Sequence, residues 1–270
     1  MDGIINVVIS DTHCGSDRAI FPPAISLPPL SADEGERLLR YTRNQQKIYE
    51  HFINCGEYIK AKFPNHKKYI IHNGDAIEGT HHQTIQLSAP QVSDHVLIHI
   101  DIMERFLSAV GFSLNNGDRL YYGSGTEVHT GYSEASIARH FEPYNAEYYD
   151  ELKLEQYGRR IWLVHQWRGS GDGANEGGAI INGLKAMYYN SLKEGWEMPD
   201  FVIGSHHHKA TLGSYSQNWK TYHGMITPSM QMKTRFGQKV SAFQRNDIGV
   251  GLFEVAENGM MQIHPPLLMK

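Results

Sequence analysis

The stretch Ile4-Ile5-Asn6-Val7-Val8-Ile9-Ser10-Asp11-Thr12-His13 runs straight from a short, β-branched apolar segment into an aspartate and a histidine two residues apart. A run of that length and composition predicts a buried central strand. In α/β sheets, ligands collect at the carboxyl ends of strands, because the loops there converge on one edge. Asp11 and His13 therefore stand where a site would form.

The same pattern recurs along the chain. Tyr69-Ile70-Ile71 leads to Asn73-Gly74-Asp75, and Leu120-Tyr121-Tyr122 to Gly123-Ser124-Gly125-Thr126-Glu127-Val128-His129. Ile161 to Val164 ends at His165, and Phe201-Val202-Ile203 at Gly204-Ser205-His206-His207-His208. Each piece alone is weak, since a strand-end aspartate is often a turn former and a lone histidine is usually a core or surface residue. The ordered set of five is specific.

Between these runs, Pro22, Pro23, Pro28 and Pro29 mark a loop, and Ser31 with Glu34 has capping-box spacing for a helix to about Lys62. Ser93 is placed to cap a second helix carrying Val96, Leu97, Ile100, Met103, Phe106 and Leu107, and a short one begins near Ser133. Tyr148 to Leu154 and Ile161 to Val164 read as a hairpin around Gly158. A glycine-rich loop from Gly169 to Gly178 precedes a helix from about Ala179 to Lys193. The remainder, with Thr211 to Tyr215, Tyr222 to Ile226 and Val250 to Ile263 around Asn258-Gly259, reads as β-rich. No repeat, low-complexity segment or linker divides the chain, so residues 1–270 are expected to form a single domain.

Composition narrows the function classes. The 270 residues are 40% hydrophobic and carry a net charge of -4, which gives no strong field for polyanions; a nucleic-acid partner is not indicated. No apolar stretch approaches the roughly 20 residues of a membrane span. The N-terminus lacks signal-peptide character, and two cysteines, Cys14 and Cys55, are too few for a disulfide framework, so a cytoplasmic location is expected. Sixteen histidines are a rich supply of metal ligands.

Mixed carboxylate and imidazole donors suit manganese, iron, zinc or nickel better than calcium. Two such ions roughly 3.5–4 Å apart activate water and neutralise charge on a phosphoryl group, without a nucleophilic serine or cysteine. The order Asp11-Thr12-His13, Gly74-Asp75-Ala76-Ile77-Glu78, a glycine-bearing loop, His165 and Ser205-His206-His207-His208 resembles the calcineurin-like metallophosphoesterases across residues 4 to 208. The resemblance implies a four-layer α/β/β/α sandwich of two mixed sheets with flanking helices. It also implies that Asp11, His13, Asp75 and His208 hold one ion and Asp75, His165 and His206 the other, with Asp75 bridging. The implied reaction is phosphoester hydrolysis by a metal-bridging hydroxide, with two divalent ions, manganese first.

Two departures matter. Ser205 stands where the family has glycine. Gly125-Thr126-Glu127-Val128-His129 replaces the family's Gly-Asn-His-Asp/Glu, so the asparagine ligand is missing. Thr126 occupies its position, Glu127 is the better ligand by chemistry, and His129 can serve as the acid that protonates the leaving group. A phosphodiester is favoured over a phosphomonoester on the strength of His129 and of large loops at 14–34 and 166–178. Arg168 is a candidate for substrate phosphate, against a surface-loop role. His207 is expected to point away by alternation, His81 and His82 to be loop residues, and Cys14 to be a buried thiol. Scattered solvated charges are the better reading of Arg235, Lys239 and Arg245. A nuclease of the same fold is the enzymatic alternative, and a non-catalytic scaffold is favoured only by the altered third motif.

Overall fold

The computed structural model describes residues 2–80, 86–131, 133–171, 173–240 and 245–270; His81 and His82 lie outside them. In chain order the elements are β1 (Ile4–Ile9), β2 (Ala24–Leu27), β3 (Arg37–Arg40), α1 (Arg43–Lys62), β4 (Lys67–Asn73), α2 (Val92–Val110), β5 (Arg119–Gly123), α3 (Glu127–Thr130), α4 (Ser133–His140) and β6 (Ala146–Tyr149). There follow β7 (Leu152–Gln156), β8 (Arg159–Leu163), α5 (Gly178–Glu194), β9 (Phe201–Gly204), β10 (Thr211–Gln217), β11 (Lys220–Ile226), α6 (Arg235–Val240), β12 (Gly249–Val255) and β13 (Met261–Leu268).

Two mixed sheets result. One has the order β13-β12-β1-β4-β5-β6, with β1, β4, β5 and β6 parallel and β12 and β13 antiparallel. The other runs β10-β11-β9-β8-β7, its central strands parallel and its edges antiparallel. Residue parity explains the stacking. In β1, Ile5, Val7 and Ile9 enter the core shared with α1 and α2, whereas Val8 enters the core between the sheets with Ile71, Ile161, Phe201 and Ile203. A strand buried on both faces must be apolar throughout, which is why IINVVI lacks alternation. On the second sheet, Val202, Tyr222 and Ile226 face the opposite way, toward Ile180, Leu184 and Tyr188 of α5. The layers are therefore helix, sheet, sheet, helix.

Two segments differ from the sequence expectation. Residues 31–42 do not open α1. Arg37–Arg40 instead pairs with Ala24–Leu27, and the Arg37 guanidinium bonds both oxygens of buried Asp94 at 2.9 Å, pinning this hairpin to α2. The operative capping box is Thr42 with Gln45: the Gln45 amide donates to Thr42 Oγ1, and the Thr42 amide to Gln45 Oε1. Leu38 and Leu39 thus lie on a strand and alternate, Leu38 being exposed and Leu39 packed on the core. The segment from Tyr148 to Leu154 is also not one hairpin arm. Ala146–Tyr149 completes the first sheet beside β5, and only Leu152–Gln156 pairs with β8. The second helix begins at Val92, one residue before the expected cap Ser93, with Gln91 as its N-cap.

Thr42→Ala should therefore destabilise the protein by about 1 kcal/mol, as loss of an N-cap does, and Ser31→Ala should leave it unchanged. Urea unfolding of both variants measures the difference; equal effects would restore Ser31 as the cap.

Candidate metal centre

Every candidate donor sits just past the carboxyl end of a strand. Asp11 and His13 follow β1, Asp75 follows β4, Thr126 to His129 follow β5, His165 follows β8, and His206 and His208 follow β9. The loops are locked to one another. The amide of Asp11 donates to the Gly74 carbonyl (3.0 Å), His13 to Asp75 (3.0 Å) and Ser205 to His165 (2.8 Å). Asn73 Nδ2 reaches both the Val164 carbonyl and Ser205 Oγ, tying the two sheets together at this edge. Two glycines are sterically required. A Cβ on Gly74, at φ +88°, would lie 2.5 Å from His165 Nδ1, and one on Gly125 would lie 2.3 Å from the Asp75 amide nitrogen.

Ligand atoms of Asp11, Asp75, His165 and His206 all lie within 4.8 Å of one another, as do those of Asp11, His13 and His208, and those of His13, Asp75 and His129. The two carboxylates occupy the middle. Asp75 Oδ2 is 3.0 Å from His165 Nε2, 3.8 Å from His13 Nε2 and 3.9 Å from His206 Nδ1. Asp11 Oδ1 is 3.2 Å from His208 Nε2, 3.9 Å from His13 Nε2 and 4.0 Å from His165 Nε2.

This donor set fits divalent cations. Asp11 Oδ1 and His165 Nε2 are buried without a well-directed hydrogen bond, a costly state for polar atoms that a bound cation would relieve. His165 Nδ1 donates to the Asn73 carbonyl (2.7 Å), which fixes the tautomer of the neutral ring and turns Nε2 toward the carboxylates. Burial works against ionising Asp11, but His208 and His165 outweigh it and hold its carboxyl well below the usual range. Asp75 is likewise lowered, with His165 and His206 overcoming burial. Burial also opposes charging His13, yet Glu78, then Asp75 and Asp11, raise it to about 9. For His165 burial is outweighed by Asp11 and Asp75, and the value again rises to about 9.

The third motif does not place its residues as ligand chemistry alone suggests. Glu127 is exposed in the first turn of α3 and belongs to no converging group among the described residues. Thr126, the N-cap residue of that helix, is aimed inward: its amide donates to Asp75 Oδ1 (2.6 Å), and its hydroxyl lies 3.2 Å from Asp75 Oδ2 and 3.3 Å from His206 Nδ1. His129 reaches the cluster edge-on to His13, with ring centroids 4.9 Å apart, and its Nδ1 donates to the Glu78 carbonyl (3.0 Å). Arg168 is exposed and runs its stem over Gly183 of α5. His207 packs on His206 outside every group, and Cys14 is a buried thiol whose pKa burial raises. Arg245 is tied to Asp247 and Glu176.

Sequence reasoning missed the residues that hold the donors. Buried Glu78 places Oε2 3.1 Å from His13 Nδ1 and accepts from Gln231 Nε2 (2.8 Å). Its position in Gly-Asp-x-x-Glu was a usable signal; Gln231, distant in sequence, offered none.

Because His13 and His165 hold protons up to about 9, metal uptake must displace them. Chelator-treated protein should release up to about two protons on binding manganese at neutral pH, with affinity rising as pH approaches that value. The same imidazoles stabilise the metal-free fold fully below their ordinary 6.5, and that contribution is lost as pH rises through about 9. Calorimetry in buffers of differing ionisation enthalpy reads the proton count; no release would show both rings already neutral.

No protein-family profile and no curated protein sequence matches the chain. Among solved structures, a novel archaeal phosphodiesterase is 11% identical over 96% of this chain and 97% of its own, with a TM-score of 0.43. Vps29 of Chaetomium thermophilum is 9% identical over 97% and 93%, at 0.34. The 5'-nucleotidase of Candida albicans is 11% identical over 94% of this chain and 47% of its own, at 0.37, so the chain spans about half its length. No helix among the described residues is long and apolar enough to cross a membrane. The chain resembles the calcineurin-like metallophosphoesterases in the order of its aspartate and histidine donors and in their setting at one edge of a two-sheet α/β/β/α sandwich.

Proposed function

We propose that this chain is a metal-dependent phosphoester hydrolase working with two divalent ions, manganese first, with iron, zinc and nickel as alternatives. The observation that carries the reading is the convergence of buried donor atoms on Asp11 and Asp75, with imidazoles on both sides and with Asp11 Oδ1 and His165 Nε2 lacking a directed hydrogen bond. Asp11, His13 and His208 would hold one ion, and His165 and His206 the other, with Asp75 shared. Ions held there would supply an activated water and neutralise charge on the phosphoryl group.

The chain's own groups do the rest. Thr126 holds Asp75 in place from the asparagine's position and directs its hydroxyl at His206. Glu78 Oε2 faces His13 Nδ1 at 3.1 Å as its charge partner, while Nε2 faces the carboxylates. His129 would give a proton to the departing alkoxide, which supports a diester over a monoester. Its Nδ1–H is committed to the Glu78 carbonyl, so the transferable proton sits on the other nitrogen. The concentration of donors supports an enzyme over a scaffold, since a scaffold has no need for six convergent ligands. Cys14 and Cys55, both free and buried, fit a cytoplasmic setting, and we read residues 1–270 as one domain.

Manganese-loaded protein should hydrolyse bis-p-nitrophenyl phosphate faster than p-nitrophenyl phosphate. Asp75→Asn should lose more than the roughly 10–100-fold typical of outer-shell changes. His129→Ala should slow a poor alkoxide leaving group far more than p-nitrophenolate, which needs no acid. Glu127→Ala should leave turnover intact and Thr126→Val should lower metal affinity; the reverse result would return the ligand role to Glu127. Two bound ions without turnover on either ester would point to a metal protein, and no bound ions to a scaffold.

A further inference from the structure

A cleft of about 610 Å³ adjoins the donor cluster and shares His165 and Thr126 with it. It opens between the β5–α3 loop, the β6–β7 connection and α5. One wall is Trp167, whose indole lies in a slot that three glycines leave free. A Cβ at Gly183, Gly204 or Gly224 would come within 2.8 to 3.2 Å of Trp167 atoms. Trp167 is thereby fixed in position, two residues past His165. Met187 and Val202 extend the apolar wall, with Trp162 stacked on Trp196 at 5.5 Å.

Among the described residues no lysine or arginine lines this cleft, and its carboxylates are Asp150 and Glu151. Glu151 is paired with Lys153 at 3.3 Å, and that ammonium already lies 4.5 Å over the Trp162 ring. Asp150, which accepts a hydrogen bond from Tyr148, remains as the cleft's own negative charge. A second phosphate or a carboxylate placed here would meet no lysine or arginine among the described lining residues and would face Asp150. A flat ring would bury apolar surface against Trp167 and Met187.

Resting on the phosphoester reading above, we infer that this cleft takes an uncharged aromatic group of the substrate, joined through its ester oxygen to the phosphorus at the donor cluster. The inference sets the substrate class: a phosphoester with an aryl or heteroaryl substituent and no second anionic group on that side. It places a polynucleotide backbone outside the cleft, because each further nucleotide would bring a further phosphate.

Phosphonates that cannot be hydrolysed test this without turnover. Manganese-loaded protein should bind phenylphosphonate about tenfold more tightly than methylphosphonate, as burial of a ring predicts, and should disfavour 4-carboxyphenylphosphonate. Trp167→Ala should bring the phenyl-to-methyl ratio close to one. Because that change empties a packed slot, exposed Asp150→Lys provides an independent readout. It should shift the preference between phenylphosphonate and 4-carboxyphenylphosphonate toward the carboxylate. Equal binding of phenyl- and methylphosphonate by the unaltered protein would overturn this inference alone, as would an Asp150→Lys variant with unaltered preference. Binding of neither phosphonate would sink the phosphoester reading and this inference with it.

Discussion

The site depends on backbone that amino acids other than glycine rarely adopt. Asp11, His13, Asp75, His206 and His208 all have positive φ, between 41° and 69°. Left-handed conformations of this kind cost about 1–3 kcal/mol each and survive only where the surroundings impose them. Here the imposition is visible. Bonds from Asp11 to Gly74, His13 to Asp75 and Cys14 to Ala76 carry the β1–β4 ladder past the end of both strands. Met230 donates to the Asp11 carbonyl and Asp247 to that of His208, so segments from the far end of the chain clamp the same loops. A continuing strand would send successive side chains to opposite faces. Residues two apart share a face, and the clamped left-handed turns hold Asp11 and His13, like His206 and His208, at one cluster beyond the strand ends.

Thr12 and the histidines beneath it show how the clamp is built from the inside. Thr12 Oγ1 lies 2.9 Å from the Ala76 carbonyl, 3.0 Å from His72 Nε2 and 3.1 Å from His99 Nδ1. A hydroxyl has one proton and a carbonyl only accepts, so both imidazoles must donate to Thr12. His99 Nε2 then accepts from the Tyr122 hydroxyl (3.3 Å), and His72 Nδ1 is left as an unpaired acceptor. Burial pushes His72 down to about 3 and His99 well below its usual value, so both rings stay neutral. This neutral layer fixes the residue between two charged donors without adding charge of its own.

Much of this was legible in the sequence, and what was missed has a common cause. Strand ends followed at once by Asp or His pointed to the residues that converge at the sheet edge, because a continuous apolar run and the loop after it are local features. The two-sided burial of β1 likewise followed from IINVVI alone. Residues 31–42 misled because Ser31-x-x-Glu34 and Thr42-x-x-Gln45 carry equivalent capping signals, and the choice between them is made by Arg37 meeting Asp94, over fifty residues away. The split of Tyr148 to Leu154 between two sheets is equally a tertiary decision. Glu127 had the right chemistry but the wrong orientation, since helix α3 starts there and turns Thr126 inward.

Charge balance explains why a neutral hydroxyl serves at that position. Asp11 and Asp75 already place two carboxylates at low exposure within one cluster, and each makes the other harder to ionise. Without metal, the compensating charge comes from His13, held protonated against burial by Glu78 and then by Asp75 and Asp11, and from His165, held by Asp11 and Asp75. Glu78 is already a third buried carboxylate, set against His13, so a buried Glu127 would be a fourth, and an uncompensated buried charge costs several kcal/mol. Glu127 in the solvent avoids that cost, while Thr126 supplies hydrogen bonds that direct Asp75. The same groups therefore meet opposite demands: protons on His13 and His165 stabilise the metal-free chain, and those are the protons that two divalent ions would have to remove.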